Sequence, residues 1–175
     1  MHRQAGGVRA MSLVDIMLEQ LAIARRIVED GAEVVPAWRI TTPEGTFLVF
    51  TRFDHNKEGQ PERALLLISR FMAWKMATSF VLTAEFWLGP GMRRSGAEAL
   101  LVVGVSHHER HAVMQRIRCR DVVDFGRAEW LTPEQVDETY FRLLPTGSGE
   151  ITVEEIAELT SIFGKDGEMA AERLS

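Results

Sequence analysis

The 175-residue chain has a single cysteine, Cys119. That excludes an intrachain disulfide and suits a reducing compartment. No apolar run approaches the roughly 18–20 residues that a membrane-crossing helix needs. The longest, around Ala99–Val105, is interrupted by Gly104 and has strand character. The N-terminus, "MHRQAGGVRAMSLVD", lacks the apolar stretch of a secretory signal. A cytoplasmic protein is expected, with residues 1–10 poorly ordered and Met11 a candidate start.

There is no basic excess either. The formal net charge is -5, which argues against a dedicated nucleic-acid binder, since such proteins usually carry a basic surface. "GPGMRRSG" lacks the lysine and hydroxyl of a phosphate-binding Walker loop. "TGSGE" is too short and wrongly placed for a nucleophile elbow. Glu154 and Glu155 are adjacent on an expected helix and diverge, so they make no acid/base pair. With no such constellation, no cofactor is expected and the balance falls against an enzyme.

What is present is a one-domain composition: 46% hydrophobic and 26% charged residues, enough for one sizeable core. Ser12 and Asp15 form a capping box ahead of Leu13, Ile16, Met17, Leu21, Ala24 and Val28, which recur at helical spacing until Gly31. "EVVPAWRI" and "GTFLVFTRF", separated by "TTPEG", predict a hairpin. Pro61–Ala77 predicts a helix so apolar around its circumference that it needs cover on more than one side, from its own chain or from a dimer partner.

"SFVLTAEFW", "AEALLVVGVS" and "HAVMQRIRC" predict three further strands. A sixth, "VVDFGRAEW", is interrupted by Gly126. Thr132 with Gln135, and Thr152 with Glu155, are capping boxes that predict two final helices, the last running to about Phe163.

The expected fold is α+β: an antiparallel sheet of five to six strands with helices packed on it, in the order α-ββ-α-βββ(β)-αα. The core spans residues 11–145, and residues 146–175 form a C-terminal helical extension. In element order alone this is similar to roadblock-like and profilin-like small folds, a likeness that implies no function.

Three surfaces are candidates for function. In "GVSHHERHAV", matching the odd-numbered apolar residues of the fourth and fifth strands centres their hairpin on Glu109. Val105 then pairs with Val113, Leu101 with Ile117 and Glu98 with Arg120. His107 faces His111 with Cβ atoms roughly 4.5–5.5 Å apart. That pair suits a divalent metal, a protonation switch or an unremarkable solvated tip.

Glu85 is no third ligand. A hairpin between the third and fourth strands sets it opposite about Leu100, roughly 24 Å from His107 at about 3.4 Å per residue. The second surface is the row Arg116, Arg118 and Arg120. It presents three guanidinium groups on one side of a strand, suited to anions, to a solvated face, or to the glutamates 150, 154, 155 and 158 in cis.

The third surface is the apolar helix itself. With Trp38, Trp74, Trp87 and Trp130 spread over the chain, it points to a non-catalytic interaction or regulatory module. The expected partner is another protein or a second copy in a homodimer. A divalent-metal enzyme at His107 and His111 is the alternative. Anion or nucleic-acid binding by the arginine row comes after it, with nucleic acid ranked last and no membrane partner expected.

Overall fold

The computed structural model describes residues 11–52, 58–87, 98–119 and 122–164, with the backbone alone at Trp87 and Cys119. The expectations for residues 1–10, for Arg120 and for the end of the chain lie outside these residues.

Helix α1, Leu13–Glu29, starts where the capping box predicts. The Ser12 hydroxyl accepts from the Asp15 N–H at 3.1 Å, and the Asp15 carboxylate accepts from the Ser12 N–H at 3.1 Å. Of its predicted stripe, Leu13, Met17, Leu21, Ala24 and Val28 are buried and Ile16 is half-buried. Strands β1 (Ala37–Thr42) and β2 (Gly45–Phe50) form the predicted hairpin, closed by Thr42 opposite Gly45.

Helix α2 (Gln60–Trp74) is followed by β3 (Ser79–Trp87), β4 (Glu98–Ser106), β5 (Arg110–Cys119) and β6 (Asp124–Leu131). The ladder between β5 and β6 breaks register next to Gly126, as expected of a strand interrupted by glycine.

Beyond β6 the helices are shorter than predicted. Thr132 opens only a 3-10 turn, Pro133–Gln135. Extended Val136 ends it before α3, Glu138–Phe141. Helix α4, Val153–Glu158, carries the Thr152–Glu155 box and then stops. Residues 161–163, expected to be helical, are instead strand β7 paired with β2. Tertiary pairing wins there, because the bare edge of β2 offers Ile162 both ladder bonds and an apolar pocket.

The seven strands form one antiparallel sheet in the order β6-β5-β4-β3-β1-β2-β7, an α+β fold. Both faces carry a helix. On one, α1 packs over Val81, Leu100, Val102, Val113 and Ile117. On the other, α2 packs its Ile68, Phe71 and Met72 over Trp38, Ile40, Phe80, Val103 and Val105. Each of these fully buried large side chains stabilises the fold by roughly 1.5–3 kcal/mol relative to exposure.

The far side of α2 is covered by its own chain. Phe141, Leu143, Ile156 and Leu159 join its core, and the Gly149 N–H donates to the Ala73 carbonyl at 3.2 Å. A sandwich within one chain therefore accounts for most of the apolar circumference of α2, with Leu66 left exposed. No helix among the described residues is long and apolar enough to cross a membrane.

Two-sided burial corrects the predicted β4–β5 register. The ladder pairs Val105 with Arg110, Leu101 with Met114 and Glu98 with Ile117, so even positions of β4 share a face with odd positions of β5. Matching odd to odd assumed one apolar face, but both faces of β4 are apolar and buried. The turn decides the matter. The Ser106 hydroxyl accepts from the N–H groups of His108 and Glu109 at 3.2 and 3.1 Å, and the Ser106 N–H donates to the Glu109 carbonyl at 2.8 Å. The β3–β4 register, by contrast, sets Glu85 opposite Leu100 as predicted.

Candidate functional site: a groove beside helix α1

The α1 layer covers only half of its face of the sheet. Among the described residues it packs most closely on β3 and β4 and reaches Val113 and Ile117 of β5. Beside it, the same face of β1, β2 and β7 carries half-buried Ala37, Leu48, Phe50 and Ser161. Between helix and sheet runs a groove of about 900 Å³, with Gln20, Ile23 and Ile27 on its helix wall. Ile23 is 43% exposed although apolar.

The floor is apolar with one anomaly. Thr83 lines the groove and is only 3% exposed, yet its hydroxyl has no hydrogen-bond partner among the described residues. An unmade hydrogen bond at a buried hydroxyl costs about 1–3 kcal/mol. A ligand reaching the floor would relieve that cost.

The rim is charged with both signs. Arg39 donates to Glu19 at 2.6 Å, tying β1 to α1, and Arg52 and Glu33 also line the opening. The Glu85 carboxylate accepts from the Val34 N–H at 3.2 Å and helps to fix the segment entering β1.

A second cavity, about 500 Å³, lies under the start of α2, walled by Trp38, Leu82, Leu101, Met114 and Val136. Tyr140 lines it too. Burial pushes its phenol above the ordinary range, with Asp137 adding to the rise.

The residues singled out from sequence fall elsewhere. Gly104, not His107, stands opposite His111. His111 instead meets the Glu109 carboxylate at 3.0 Å and stands edge-on to Trp130, ring centroids 6.2 Å apart. His107 lies in the turn. The imidazole pairing on which the metal site was built is thus corrected by the register. Among the described residues no group of three or more His, Cys, Asp or Glu side chains is gathered as a metal would require.

Arg116 and Arg118 are both exposed, Arg118 with Asp124 at 3.9 Å. Glu98 stands opposite Ile117 rather than Arg120. The cis pairing with the C-terminal glutamates is also corrected, because that segment crosses α2. There Glu155 pairs with Arg70, and Glu158 with Arg63 at 2.9 Å.

Sequence reasoning missed the groove, although one signal was available. In "GTFLVF" both parities are apolar: Phe47 and Val49 enter the α2-side core, while Leu48 and Phe50 face the groove. A strand apolar on both sides in a sheet with one helix too few implies an uncovered patch. Compared with known proteins, the chain matches no family model, no curated protein and no solved structure.

Proposed function

We propose that the protein is a non-catalytic interaction module that docks one face of an amphipathic helix from a partner protein in the groove beside α1. The observation that carries this reading is the sheet face that the described residues leave half bare: α1 covers β3, β4 and part of β5, and an apolar slot of about 900 Å³ lies alongside it over β1, β2 and β7. Neighbouring helices pack roughly 8–10 Å apart. A second helix laid beside α1 would complete the layer and bury Ile23, Leu48 and Phe50. A rim carrying Arg39, Arg52 and Glu33 suits a helix whose polar flanks hold both charges. Helix-in-groove recognition of this kind draws its affinity from a few apolar anchors.

The test places a photo-crosslinking residue at position 23 of the full chain in cells and sequences the captured peptide. A discrete adduct on an amphipathic helical segment, lost in Leu48→Asp and kept in Leu66→Asp, is the expected result. Leu66 is an exposed leucine on α2, far from the groove lining. No adduct, or one indifferent to Leu48→Asp, refutes the proposal.

A further inference from the structure

The two edges of the sheet are unlike. One ends in β7, only three residues long, a blunt edge of the kind that discourages pairing. The other ends in β6, eight residues long, with no strand on its outer side among the described residues. Trp130 stands beside this edge, 50% exposed.

We infer that β6 is a homodimer interface, pairing antiparallel with β6 of a second copy about a two-fold axis at Ala128. The argument is one of register. Glu129 lies opposite Met114 on the α2 side of the sheet, and alternation sets Arg127 on that side too. Neither has an ion-pair partner among the described residues, and both are exposed.

A two-fold axis at Ala128 sets Arg127 of each copy directly across from Glu129 of the other, making two opposite-charge pairs. An axis at Arg127 would oppose two arginines, and one at Glu129 would oppose two glutamates. Of these three registers only the one at Ala128 avoids like charges, and it alone sets opposite charges across from one another. On the other face it leaves the small Ala128–Ala128 pair flanked diagonally by the two Trp130 rings, each within reach of the partner's alanine.

The two sheets then join into one. The grooves beside α1 lie toward the opposite edges, away from this interface, so with the proposed function the dimer is bivalent.

Sedimentation velocity of the full chain over about 1–200 µM tests this, since dimer population follows concentration. Wild type is expected to dimerise. Glu129→Arg and Arg127→Glu should each weaken the dimer by about tenfold or more, because each turns both cross-strand pairs repulsive. The double reversal, R127E with E129R, should restore it.

A measurement without variants guards against misfolding. Amide exchange in β6 should speed up on dilution through the dissociation range while exchange in α1 stays constant. A monomer at every concentration, a dimer insensitive to either reversal, a double variant that fails to restore it, or dilution-independent exchange in β6 overturns the proposal.

Discussion

Met17 packs its side chain against the backbone of Gly104, where a Cβ would lie 2.9 Å from the Met17 Cγ and 3.2 Å from the Leu13 Cγ. Met17 is fully buried between α1 and the sheet, so it has little room to withdraw. The same glycine stands across the ladder from His111. A residue that seemed to interrupt an apolar run is a point of close approach between α1 and β4.

Gly104→Ala is therefore expected to destabilise the protein by about 1–3 kcal/mol, the usual cost of overpacking a filled core. Combined with Met17→Ala it should cost less than the sum of the two changes, because the smaller side chain vacates the space. Urea unfolding of both single variants and the double checks this. Strict additivity would mean that the two residues do not share the space.

The Trp38 indole N–H donates to the Thr51 hydroxyl at 3.1 Å, with both groups buried. Thr51→Val keeps the shape but leaves the N–H without an acceptor, so a loss of about 1–3 kcal/mol is expected. Thr51→Ser should retain most of the stability. Equal losses in the two variants would show packing, not the hydrogen bond, to be the source.

Thr83→Val tests the opposite case. Its hydroxyl has no partner among the described residues, so replacing it with a methyl group removes a desolvation cost. A gain of about 1 kcal/mol is expected. A loss of stability in thermal unfolding would show that the hydroxyl is satisfied in solution.

Three acids of the C-terminal segment hold their carboxyls below the ordinary range. For Glu158 the chief cause is the hydrogen bond from Arg63, for Asp137 the interaction with Thr139, and for Glu134 its own backbone N–H, followed by Thr132. Their folded pKa values lie below the ordinary values of 4.5 for Glu and 3.8 for Asp. Their stabilisation is thus complete above those values and is lost as pH falls through the lower folded ones.

All three are exposed, so each contribution is small. Urea midpoints are expected to hold from neutral pH to about 5 and then to decline. Glu158→Gln and Asp137→Asn should each flatten that decline. Midpoints unchanged down to pH about 3 would contradict it.

Local signals determined much of this protein. The Ser12–Asp15 box and the stripe from Leu13 to Val28 specified α1, because capping and helical periodicity act within one or two turns. The "TTPEG" turn specified the first hairpin. The β3–β4 register, with Glu85 opposite Leu100, was legible as well. The α+β class followed from the order of these elements.

Only the tertiary structure decided which stripe of β4 meets which stripe of β5. Leu100 and Val102 lie under α1 while Val103 and Val105 lie under α2, and a strand apolar on both sides carries no parity signal. The Ser106 turn broke the tie and separated His107 from the place opposite His111. The groove was likewise out of reach, since among the described residues α1 is too narrow to cover seven strands, and a sequence does not record how far one helix spans a sheet.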